Sequence, residues 1–224
     1  KISSLINSES NEIIFTSGAT ESNNLVFLDI LKYSNKHIIT ASTEHKAVLD
    51  ICKYLEKNSN HKISYINPNN LGLLDLNKLI DTITKETYMI SIMHVNNEIG
   101  VIQPIEEIGK ICKERNILFH VDAAQSFGKI NIDVKKMNVD FLSLSSHKIY
   151  GPKGIGALYI NKKNKISSIM YGGNQERTIR PGTLPVPLIV GLGKASEIAQ
   201  NIMKKESKNI LYLRNLLFKE IKNH

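Results

Sequence analysis

Lys148 stands in the stretch LSSHKIYGPKGIG (144 to 156), directly after a histidine and two serines, at the end of an apolar run and ahead of a glycine-rich segment. A lysine amine drawn out of water at such a point favours its neutral form, which attacks a carbonyl carbon to make a Schiff base. The same placement also suits a lysine that lays its stem along a strand end and keeps its charge in water. Asp122 closes the run LFHV. A buried carboxylate needs a partner to stay charged, and the protonated ring nitrogen of a cofactor would serve, as would a role capping its own turn. His45, in TEHK, could stack on a planar ring or simply open a helix with its Nδ1 hydrogen-bonded. SGATES (17 to 22) puts small residues at a helix start, where free N–H groups and the helix dipole suit a phosphate. Its plainer reading is an N-cap by Ser17 or Thr20 with Glu21 in the first turn. Taken together, a Schiff-base lysine, an aspartate for a pyridinium nitrogen and a helix start for a phosphate describe pyridoxal 5'-phosphate binding.

These groups need a scaffold that brings strand ends together. Short β-branched runs at 12–16, 37–41, 63–67, 89–95, 117–123, 141–145 and 156–160 alternate with helical patterns near 20–33, 44–57, 75–83 and 104–115. This alternation predicts an α/β fold, a three-layer α/β/α arrangement around a mostly parallel sheet of seven strands. The connection from Ser145 to Gly156 is too short for a helical crossover, so the last two strands should be antiparallel and the sheet mixed. In open sheets ligands gather at the carboxyl ends of the strands, and those ends read SGATES, TEHK, HVNNEIG, DAAQS and SSHK. After Pro187 the sequence predicts one or two long helices with nothing following to receive their apolar face. The expected organisation is a cofactor-binding domain over 1–205, short of an N-terminal segment, and a helix over 206–224 leading to a further C-terminal domain.

The chain has 224 residues and a formal net charge of +8, but its lysines are dispersed rather than striped, which argues against nucleic-acid binding. No window reaches the roughly 20 apolar residues of a membrane span, and the first residues lack a signal-peptide hydrophobic region, so an intracellular protein is expected. Cys52 and Cys112 fall on the apolar faces of predicted helices and read as small buried residues. No Cys/His spacing predicts a metal site.

Six segments occur in one order: TSGATESNNL, TEHKAVL, HVNNEIGVIQPIEEIG, HVDAAQSFGK, SSHKIYGPKGIGALY and RPGTLP. Together they resemble the class V branch of the fold-type I pyridoxal-phosphate enzymes, and within it the cysteine desulfurases of the IscS/NifS type. The resemblance implies a fold-type I transferase large domain with Lys148 and His45 at the catalytic centre. Lys148 would hold the cofactor covalently and move protons at the substrate carbon, while His45 would stack on the ring. Asp122 would pair with the pyridine nitrogen. Ala19, Thr20, Ser145 and His147 would hold the phosphate, and Thr183 would reach the phosphate of the partner subunit in a homodimer. Asn97 and Gln125 would contact the ring hydroxyl or the substrate carboxylate. The implied reaction converts L-cysteine to L-alanine and leaves sulfur as a persulfide on an enzyme cysteine, for an iron–sulfur scaffold protein and other acceptors such as those of tRNA thiolation. The implied setting is a bacterial cytoplasm or an organellar matrix. Two departures stand out: Ser146 occupies a position where the family commonly has Gly or Ala, and the loop carrying the nucleophilic cysteine is absent from these residues. A selenocysteine lyase, another class V enzyme and a non-catalytic dimerisation or binding module are the alternatives.

Overall fold

A computed structural model describes residues 1–222. The apolar runs become seven strands: β1 (Ile13–Thr16), β2 (His37–Ala41), β3 (Lys62–Ile66), β4 (Thr87–Met93), β5 (Leu118–Asp122), β6 (Phe141–Ser145) and β7 (Gly156–Ile160). They form one sheet in the order β1-β7-β6-β5-β4-β2-β3. Strands β3, β2, β4, β5 and β6 run parallel. β7 is antiparallel to both of its neighbours, β6 and β1. The short connection thus forces the reversal it predicts. What it could not reveal is that the chain's first strand sits on the far side of its last.

The periodic segments between the strands form α2 (Ala19–Leu28), α3 (Lys46–Asn58), α4 (Leu76–Thr82) and α5 (Ile105–Glu114), preceded by a short α1 (Ile2–Leu5) that the sequence pattern does not announce. The helix expected over 20–33 ends at Leu28 and continues only as a 3-10 turn, Asp29–Lys32. Asp29 explains the change, because its buried carboxylate accepts from Ser167 N at 2.6 Å and pairs with Lys32. Alternate strand residues face opposite ways and build two apolar layers. One holds Phe119, Val121 and Leu144 with α5 and the start of α6; the other holds Ile38, Met89 and Phe141 with α2 and α3. Both cysteines belong to these layers, Cys52 in the second and Cys112 in the first.

The tail is one continuous helix, α6 (Val186–Lys222), of 37 residues. Pro187 lies in its first turn, where a missing N–H costs nothing. Leu192, Ala195, Ser196 and Ala199 pack against the body, whereas every described side chain after Glu206 is exposed. The last two residues of the segment expected over 206–224 lie outside the described residues.

Candidate active site

The parallel strands all point their carboxyl ends at one edge, and there a cavity of about 700 Å³ opens. Every site residue expected from the sequence except Thr183 borders it. Thr183 is exposed on the loop that precedes α6, outside its own chain's cavity.

Asp122 is 4% exposed at the end of β5. Asn23 Nδ2 donates to its Oδ2 at 2.9 Å, and Ala124 N donates to its Oδ1 at 2.9 Å. Burial pushes the carboxyl above the ordinary carboxylate range, against the opposing pull of these two hydrogen bonds and of His45. Asp122 is therefore both a turn cap, through Ala124, and a buried acid facing a cavity. His45 opens a helix, as its plainer reading expects. It is the N-cap of α3, with Nδ1 accepting from Ala47 N at 3.1 Å, and it borders the cavity. That hydrogen bond assigns the ring proton of the neutral form to Nε2.

Lys148 lies in a 3-10 turn, Ser146–Ile149, that follows β6 directly. It is half-buried, so the site withdraws it from water only in part. It also borders a second groove, of about 440 Å³, that runs along α6. Ser145 Oγ and His147 Nδ1 lie 2.9 Å apart, which orients the exposed imidazole at the cavity rim. Burial, with Lys148 and Lys153 adding like charge, pushes His147 below its ordinary value. Ser146 is fully buried, and its hydroxyl finds no hydrogen-bond partner among the described residues. It fits because residue 151 is glycine: a Cβ there would collide with Ser146 Oγ. The small-residue requirement is thus met sterically but leaves one polar atom unsatisfied.

The cavity's other end is the start of α2. Gly156, paired with Thr16, lets β7 approach this loop; a Cβ on it would lie 2.5 Å from Leu144 O and 2.6 Å from Gly18 Cα. Glu21 does not face the cavity as a free charge. Its Oε1 accepts from Arg180 Nε at 2.8 Å and its Oε2 from Ser17 N at 2.7 Å. Burial alone would raise the Glu21 carboxyl, but Arg180 and Ser17 outweigh it and hold the group below its ordinary value. The same pair ties the RPGTLP segment to the α2 start. Asn97 is exposed on the loop after β4, and Gln125, half-buried, accepts from Lys129 Nζ at 3.0 Å.

Three site residues escape the sequence reading. Asn23 is one helical turn after Ala19 and so shares its face, but its partner Asp122 is 99 positions away. Glu44, next to His45, is 5% exposed and accepts from Met93 N at 2.7 Å, which fastens the ends of β2 and β4. Burial holds its carboxyl well above the ordinary range; the Met93 N–H opposes this, and Asp122 adds to it. Lys153, in the turn before β7, borders the cavity as a second ammonium. Its sequence signal is GPKG (151–154), a lysine bracketed by glycine and proline five residues after Lys148.

The mixed α/β/α sheet thus gathers a lysine, an aspartate and a helix start at the carboxyl edge of its parallel strands, the architecture of a class of transferase folds. The aminotransferase class-V family matches residues 1–223, and the chain belongs to that family. It is 56% identical over 230 positions to the cysteine desulfurase IscS of Ehrlichia chaffeensis, covering all of this chain and 56% of that protein. To the cysteine desulfurase IscS of Rickettsia felis it is 54% identical, covering 55% of that protein. Among solved structures, a NifS-like protein superposes with a TM-score of 0.94 at 39% identity, over 99% of this chain and 62% of the other. SspA, solved in complex with cysteine, superposes with a TM-score of 0.84 at 48% identity, over 88% of this chain and 58% of the other. The chain spans a little over half the length of the curated relatives it matches.

Proposed function

We propose that the protein carrying this chain is a pyridoxal 5'-phosphate-dependent cysteine desulfurase that works as a homodimer, and that residues 1–205 are its cofactor-binding domain. The observation that carries this reading is the meeting of Lys148, Asp122, His45 and the α2 start around one cavity. Relatives named cysteine desulfurase, and a relative solved with cysteine, support the substrate.

The residues fit the cofactor. The cavity's size suits a small molecule, and Asp122 is a buried acid held by two donors and lacking a full counter-charge among its hydrogen-bond partners. Gly156 packs directly on Gly18, which holds β7 against the α2 start that borders the cavity. When bound, pyridoxal phosphate supplies an electron sink for charge that develops at the substrate carbon. Lys148 holds the cofactor, and its amine then carries protons to and from that carbon. Asp122 keeps the ring nitrogen protonated, and His45 covers a ring face. The α2 N-terminus, with Ala19 and Thr20, meets the phosphate beside Ser145 and His147, while Asn97 and Gln125 orient the substrate side. Thr183 serves the partner subunit's site.

In the overall reaction the cysteine C–S bond breaks, its sulfur joins an acceptor thiol as a persulfide, and the carbon gains a proton to give alanine. Neither cysteine of this chain is that acceptor. Cys52 and Cys112 are both buried, and burial pushes each thiol up, away from thiolate chemistry. The acceptor is supplied from outside these 224 residues, and an iron–sulfur scaffold protein is the proposed recipient downstream.

The test is cofactor capture. The protein is incubated with pyridoxal 5'-phosphate, reduced with borohydride and mapped by peptide mass; the added mass should fall on Lys148. A modification at another lysine, or none in a folded sample, refutes the reading.

A further inference from the structure

The cavity's phosphate end is short of positive charge. A phosphate monoester carries a charge of about −1.5 to −2 near neutral pH, because its second pKa is about 6. The helix terminus of α2 offers roughly half a positive charge. Glu21, the one carboxylate at this end, is occupied by Arg180 and the Ser17 N–H. His147 contributes hydrogen bonding rather than charge, since its Nδ1 is engaged with Ser145 Oγ and its environment disfavours the cation. Lys148 is committed to covalent attachment under the function proposed above, on which this inference rests. One further ammonium borders the cavity, that of Lys153.

The backbone explains how Lys153 comes to be there. Tyr150 ends the Lys148 turn in the left-handed region, at φ 62°, and Gly154 adopts φ 79°, as the chain reverses between β6 and the antiparallel β7. Gly156 then packs onto Gly18, which draws the reversal against the start of α2. Lys153 makes no ion pair among the described residues. Its charge nevertheless reaches His147, on the phosphate side of the cavity.

We propose that Lys153 is a cofactor-binding residue whose ammonium provides the counter-charge to the cofactor phosphate. It does so as a point charge that moves with its turn, not as a fixed fork.

The experiment compares two ligands that share ring and aldehyde and differ in the phosphate. Full-length apoprotein is titrated with pyridoxal 5'-phosphate and with pyridoxal, followed by absorbance, for the wild type, Lys153→Met and Lys153→Arg, at low and high salt. Lys153→Met should weaken the phosphorylated ligand about tenfold or more, leave pyridoxal within about twofold, and flatten the salt dependence. Lys153→Arg should recover most of the loss. Circular dichroism of the apoproteins should coincide, since Lys153 is exposed. An unchanged ratio of the two affinities, or equal weakening of both ligands, overturns the inference while the proposed function stands. A wild type that binds neither ligand at Lys148 overturns both.

Discussion

Asp122→Asn separates what the carboxylate does for the fold from what it does for the cofactor. In the fold, Asp122 accepts two hydrogen bonds on different oxygens, from Ala124 N and from Asn23 Nδ2. An asparagine has one acceptor oxygen, and it can keep the Ala124 bond. Its new amide then faces Asn23, whose own Oδ1 is buried without a partner among the described residues. Rotating the Asn23 amide turns that orphan into an acceptor, so both hydrogen bonds survive. The apoprotein should therefore lose less than about 1 kcal/mol, whereas Asp122→Ala, which strands both donors, should cost about 2–5 kcal/mol. The pH dependence has a definite sign. Because burial raises the folded Asp122 above its unfolded value, its contribution is most favourable at low pH and is lost as pH rises through the folded pKa. The stability of the Asn variant relative to wild-type apoprotein should accordingly improve from about pH 4 upward.

The cofactor tells a different story. Under the proposed function a protonated ring nitrogen would make the Asp122 charge an asset, and replacing a buried charged pair by a neutral hydrogen bond costs about 2–4 kcal/mol. That is roughly 30- to 1,000-fold in a rate or binding constant. Thermal unfolding of the apoprotein and turnover of L-cysteine by the full-length protein measure the two effects separately. A variant that turns over within about threefold of wild type refutes the ring-nitrogen role. A variant whose apoprotein collapses refutes the Asn23 exchange.

Two further outcomes follow from buried polar groups. His120 is fully buried on β5, with Nδ1 2.8 Å from Ser91 Oγ and Nε2 3.0 Å from Ser143 Oγ, so it spans three neighbouring strands beneath Asp122. Burial pushes its pKa down to about 3, so the unfolded chain takes up a proton below pH 6.5 that the fold refuses. Stability should fall as pH drops from about 6.5 toward 3, and His120→Gln should make urea-derived stability less steep there by about 1.4 kcal/mol per pH unit; an unchanged slope would show that His120 does not titrate as argued. Ser146→Ala removes a buried hydroxyl without a partner and should raise stability by about 1 kcal/mol in thermal unfolding, whereas a loss of that size would mean that the hydroxyl is satisfied.

Much of this arrangement is legible in one dimension because its causes are local. Short β-branched apolar runs mark the strands, helical spacing marks α3 and α5, and a parallel sheet must turn its strand ends to one edge. Residues at those ends, Lys148, Asp122, His45 and the α2 start among them, therefore meet without any knowledge of side-chain contacts. The short link from Ser145 to Gly156 likewise excludes a parallel crossover on length alone. Tertiary structure decided what depends on distant parts of the chain. The position of β7 between β6 and β1 follows from packing across 140 or more residues, and only that pairing brings Gly156 against Gly18. Asn23 reaches Asp122 across 99 positions, and Arg180 reaches Glu21 across 159. Neither pair has a sequence spacing to betray it. Whether Asp122 caps a turn or faces a ligand could not be decided from LFHVD, because a carboxylate's role depends on burial and on which donors surround it. Those are properties of the folded neighbourhood, where one side chain can serve both ends at once.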